Sequence, residues 1–73
     1  MPDGLDIDAM LDRFRHRAEA VRSRQVPPVE GEARKAFIDQ SRLDFQDFAM
    51  LADANGELVD GVLTLRIDLR PPA

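Results

Sequence analysis

In Val62-Leu63-Thr64-Leu65-Arg66-Ile67-Asp68-Leu69, every second side chain from Leu63 onward is a large aliphatic one. Leu63, Leu65, Ile67 and Leu69 then share one face, and Val62, Thr64, Arg66 and Asp68 share the other. This follows because side chains alternate sides along a strand and do not along a helix. Asp60-Gly61 stands immediately before the segment, a dipeptide favoured in the two-residue type I′ turn. Glu57-Leu58-Val59 is the returning strand and Pro71-Pro72 closes the segment, which predicts a β-hairpin over 57–69. Val62 to Thr64 then pair with Glu57 to Val59, and Leu65 to Leu69 run on without a neighbour.

Upstream the period changes to that of a helix, predicted over 30–54. Glu30 and Glu32 place acid at its start, and Asn55-Gly56 is read as its left-handed stop. Its apolar residues fall into two groups. Ala33, Phe37, Ile38, Phe45, Phe48, Ala49, Leu51 and Ala52 cover one broad arc. Ala36, Leu43, Met50 and Ala54 form a narrow second arc, bounded by Gln40 and Asp47 on one side and by Asp39 and Gln46 on the other. A helix that buries one side needs only one stripe.

A first helix is predicted over 5–24. Ile7, Leu11, Phe14, Ala18 and Val21 recur at spacings of four and three, and Met10 widens the stripe. Asp3 and Asp6 are its candidate N-caps, with Asp8 in the first turn, and Arg17, Arg22 and Arg24 stand where the helix dipole favours cations. Val26-Pro27-Pro28-Val29 ends it, because proline lacks an amide hydrogen and disfavours helical geometry in the residue before it. The fold class is therefore α+β in one small domain spanning 1–73. It comprises a two-helix antiparallel hairpin, a Pro-rich turn at 26–29 and a short C-terminal β-hairpin. Leu63, Leu65, Ile67 and Leu69 are expected to lie against Phe37, Phe45 and Phe48, with Ile7, Leu11, Phe14 and Val21 completing the core.

The 73 residues are 44% apolar and 33% charged, with no cysteine, tryptophan or tyrosine, and one lysine stands beside nine arginines. That composition excludes a disulfide scaffold, a thiolate metal site and a cysteine nucleophile. The arginine bias suggests a bacterial gene. Neither a membrane span nor the apolar core of a signal peptide is visible, so the expected compartment is the cytoplasm.

Chemistry has few candidates, and no catalytic, metal or cofactor-binding residue is predicted. His16 is the sole imidazole, so no two-histidine metal site can form, and a solvated surface position is expected. Ser23, Ser41 and Thr64 lie outside any nucleophile elbow, and Ser41 is expected to bond the preceding helical turn. Asp44 and Asp47 are neighbours on the second helix. Asp44 and Asp53 fall within its apolar arc, where one of them is a candidate for partial burial with a raised pKa or for pairing with Arg34, and an enzyme built in a dimer cleft would need Asp44 or Asp53 as its acid or base. Asp53-Ala54-Asn55-Gly56-Glu57 departs from a calcium loop, since the glycine comes two residues early and the twelfth position is Thr64.

Association is the expected role. A two-stranded hairpin is marginal in water, an apolar edge invites another strand, and chains of this size commonly supplement their core by oligomerising. The chain is therefore expected to be a non-catalytic protein–protein interaction module. It would be an accessory or small subunit of a larger bacterial enzyme complex, or a homodimer, with Leu43, Met50, Arg66, Ile67, Asp68 and Leu69 in the contact. The alternative is a regulator that touches nucleic acid through Arg13, Arg15, Arg17, Arg22 and Arg24. A net charge of −4 weighs against that alternative. Asp60 to Ile67 also resembles a turn and strand near the end of small heat-shock domains. The likeness covers eight residues of a chain too helical for that β-sandwich, and no function is carried over from it.

Overall fold

The computed structural model describes residues 4–72. Two helices, α1 (Ile7–Arg22) and α2 (Glu32–Ala52), precede two strands, β1 (Asn55–Val59) and β2 (Val62–Arg66). This is the α+β order that the sequence predicts.

Asp6 caps α1, its carboxylate accepting from the amide of Ala9 at 3.0 Å. That satisfies one of the amides every helix start leaves without a partner. Asp3, the other candidate cap, lies outside the described residues. Past Arg22 the chain turns through the Pro27-Pro28 loop and enters α2 at Gly31, whose φ of 64° is open to glycine and strained for other residues.

The helices run antiparallel. Phe14 meets Phe48 with ring centroids 6.2 Å apart, Arg15 reaches the carbonyl of Ala52 near one end, and Arg24 reaches Asp44 nearer the other. Leu11, Ala18 and Val21 of α1 are buried in this seam, as is Ala52 of α2. The aromatic arc of α2 is spent entirely here. Phe48 faces Phe14, while Phe45 and Phe37 carry the guanidinium groups of Arg22 and Arg24 at 5.5 Å and 6.0 Å.

The strands form an antiparallel ladder in which Asn55 pairs with Arg66, Gly56 with Leu65, Glu57 with Thr64, Leu58 with Leu63 and Val59 with Val62. Asp60 and Gly61 both have positive φ, at 52° and 78°, as the type I′ turn requires.

Three expectations are corrected. The hairpin does not lie on Phe37, Phe45 and Phe48; it touches α1 alone, through β1. Only Asp53 and Ala54 separate α2 from β1, too short a link for the hairpin to fold back over the helix it leaves. The ladder also reaches Asn55 and Arg66, so Leu65 and Arg66 are paired and only the residues from Ile67 onward lie beyond it. Lastly, α2 stops at Ala52, where the amide of Ala54 bonds the carbonyl of Leu51. Gly56 is thus a strand residue and not a helix stop.

Gly56 has a different purpose. A Cβ built on it would lie 2.5 Å from Cγ2 of Ile7 and 3.1 Å from Cδ2 of Leu65. Ile7 is β-branched and stiff about χ1, so it cannot swing clear. Glycine is what lets the first turn of α1 sit on the strand. Gly56→Ala is expected to destabilise the chain by about 1–3 kcal/mol through overpacking, read from the urea midpoint. Ile7→Ala in the same chain should recover part of that loss, and additive effects would remove this contact from the account.

Candidate interaction surface

Strand register decides which hairpin side chains stand together. Gly56, Leu58, Leu63 and Leu65 share one face, because opposed residues of a ladder project to the same side. Asn55, Glu57, Thr64 and Arg66 share the other with the valine pair at the tip. Ile7 covers the Gly56–Leu65 end of the apolar face, and Leu65 is half-buried there. Further along that face Leu58 and Leu63 are 36% and 37% exposed, and on the opposite face Val59 and Val62 are more open still. Among the described helices and strands, α1 meets β1 and none meets the outer edge of β2.

The residues assigned to contact by sequence do not form one patch. Leu43 is 52% exposed and Met50 half-buried on α2, a helix that does not touch the hairpin. Arg66 ends β2, where it forms no ion pair among the described residues. Ile67 is half-buried beyond the ladder, and Leu69 is exposed. Asp68 is held locally, its carboxylate accepting from the Arg70 guanidinium at 2.6 and 2.9 Å and from the Arg70 amide at 3.0 Å. Those bonds keep the Asp68 carboxyl below its ordinary pKa and raise that of Arg70. The amide bond closes a local turn over Asp68 to Arg70, beyond the last paired residue of β2. Sequence reasoning left Leu58 out of the contact, although the pairing it predicted around Asp60-Gly61 already set Leu58 opposite Leu63.

The arginines of α1 are mostly engaged. Arg17 stacks over Phe14 at 5.4 Å and Arg22 over Phe45, while Arg15 bonds Asp12 at 3.1 Å and the Ala52 carbonyl at 3.3 Å. Arg15 thereby supplies a cation to the C-terminal end of α2, whose own last turn has none. Arg24 donates to both Ser41 Oγ and Asp44, at 3.2 Å and 3.1 Å. Asp44 thus takes Arg24 and Gln40 as partners, not Arg34, and Ser41 receives a hydrogen bond from across the helix pair. The Gln40 amide first, and Arg24 after it, hold the Asp44 carboxyl below its ordinary pKa. That is the reverse of what an acid catalyst at neutral pH needs. Lys35 lowers Asp39 in the same way.

His16 is exposed, with Nε2 3.8 Å from Asp12. No group of three metal-ligating side chains occurs among the described residues. The concavity lined by Asn55, Gly56, Glu57, Thr64 and Arg66 lies on the polar side of the hairpin and brings no nucleophile together with a base. Among the described residues no helix is long and apolar enough to cross a membrane.

The chain exposes 6027 Å², against about 4,500 Å² for a compact chain of this mass. Its radius of gyration is 16.0 Å, against about 11 Å for a compact domain of this length. Among the described residues no side chain larger than valine or leucine is buried, and none is fully enclosed. Comparison with protein-family models, curated proteins and solved structures finds no match.

The Arg24–Asp44 tie makes a pH prediction. A carboxyl whose pKa falls on folding contributes stability above its unfolded value, and that contribution is lost as pH drops through the folded value. Asp44→Asn is therefore expected to melt slightly below the parent at neutral pH, the pair being partly exposed and weak. The two melting curves should converge below about pH 4. A gap that persists in acid would assign the effect to packing.

Proposed function

We propose that this protein is a small, non-catalytic interaction module of the bacterial cytoplasm, an accessory subunit or a homodimer. It works by burying the apolar face of its β-hairpin against another polypeptide. The observation that carries this reading is the uncovered Leu58–Leu63 pair on a hairpin held to its own helices at one end only. Exposed apolar surface that the chain cannot cover is characteristic of association sites. The area and radius of gyration agree, since both exceed those of a self-contained domain. Leu43 and Met50 on α2 offer a second, separate contact. The nucleic-acid alternative is less well supported, because Arg15, Arg17, Arg22 and Arg24 are occupied within the helix pair.

The purified chain is expected either to sediment as more than one chain or, as a monomer, to bind an apolar dye. Leu58→Ser with Leu63→Ser should reduce association and dye binding while leaving the helical circular-dichroism signal unchanged. A lone chain that binds no dye and scatters with a radius of gyration near 11 Å, the compact value, overturns the reading. Leu43→Asp with Met50→Asp tests the α2 arc separately, and an unchanged mass removes those two residues from the contact.

A further inference from the structure

We infer that the partner is a second copy of this chain, joined edge to edge through β2 about a twofold axis at Leu65. The result is one four-stranded antiparallel sheet in the order β1-β2-β2-β1. This rests on the interaction-module reading and names its partner.

The backbone sets the parity. A two-residue hairpin loop is closed by a hydrogen-bonded pair, here Val59 and Val62, and such pairs alternate along an antiparallel ladder. The amides and carbonyls of Val62, Thr64 and Arg66 therefore point to β1. Those of Leu63, Leu65 and the next residue of that parity, Ile67, are directed to the open edge.

The available length sets the register. The outer strand starts at Val62, after the Asp60-Gly61 turn, and cannot continue past Asp68, where the Arg70 amide bonds back to the Asp68 carboxylate at 3.0 Å. The midpoint of 62–68 is Leu65. An antiparallel pair of copies centred there sets Leu65 opposite Leu65, and Leu63 opposite Ile67 in both directions. These are the outward-directed residues, so each pair exchanges two hydrogen bonds. On the other face Thr64 meets Arg66 and Val62 meets Asp68, so no like charges stand directly opposite.

The β1 edge is not self-complementary in this way. Centred on its middle residue, it sets Glu57 against Glu57, with like charges directly opposite. A twofold axis perpendicular to the sheet keeps the helices of both copies on the same side. Leu58, Leu63, Leu65 and Ile67 of both copies then form one continuous apolar face under one helical layer, a two-layer α/β arrangement. An ordinary stable interface takes about 800 Å² from each partner. The chain exposes 6027 Å², roughly 1,500 Å² more than a compact chain of its mass.

Sedimentation equilibrium of the full chain, with a single-cysteine scan, tests this. The sequence has no cysteine, so each introduced thiol reports one position. The parent is expected to sediment as two chains. Leu65→Cys should cross-link to itself on oxidation faster than Thr64→Cys and much faster than Glu57→Cys. Ile67→Pro lies outside the β1–β2 ladder and removes one outward amide per copy, so it should weaken the dimer on the order of tenfold with the hairpin intact. A dimer indifferent to Ile67→Pro that cross-links best at another position overturns this interface and leaves the module reading standing. A single chain that binds apolar dye overturns self-association alone. A compact single chain that binds no dye overturns both.

Discussion

All four phenylalanines lie along the seam between α1 and α2, and that allocation governs everything else in the molecule. Phe14 and Phe48 stack across it, and Phe37 and Phe45 lie beneath the arginines that descend from the end of α1. A chain of this length has no second set of large side chains to offer. Once the helices have used their aromatic faces on each other, the hairpin can be covered only from outside or left open. Among the described elements it meets α1 alone, where Ile7 seats on Gly56 in a close approach that any Cβ would obstruct.

Polar chemistry in the structure serves the same end. Arg15 crosses from α1 to the final carbonyl of α2, Arg24 crosses to Asp44 and Ser41, and Gln40 reinforces Asp44 from one turn away. These groups fasten two helices whose buried aliphatic side chains are few. The arrangement is that of surface ion pairs with long stems lying over aromatic rings, in which much of the benefit comes from the stems and not from the charges. Among the described residues these bonds bring no nucleophile together with a base.

The outer edge of β2 is therefore the feature with most consequence. The amides and carbonyls directed to that edge belong to the apolar residues, so a strand paired there would set its own side chains beside them. That coincidence follows from the two-residue turn, which fixes both the parity of the ladder and the face on which Leu58, Leu63 and Leu65 appear.

Much of this was written locally. The period of two in Val62 to Leu69, the Asp60-Gly61 turn, the α1 stripe and the Pro27-Pro28 break each depend on a few adjacent residues, and each is legible without knowledge of the rest of the chain. The two arcs of α2 were legible too, and so was the surplus of apolar surface. Which surface met which was not. Phe37, Phe45 and Phe48 would have suited the hairpin as well as they suit α1, for apolar faces have no address. The choice was made by the two-residue link Asp53-Ala54, which carries the strands off the end of α2, and by a glycine whose missing Cβ admits Ile7. Gly56 looks like a helix stop in sequence and acts as a seat in space, because its role depends on a neighbour forty-nine residues away. Local periodicity belongs to the residues themselves, whereas the pairing of faces depends on chain connectivity and excluded volume, and those exist only once the chain is folded.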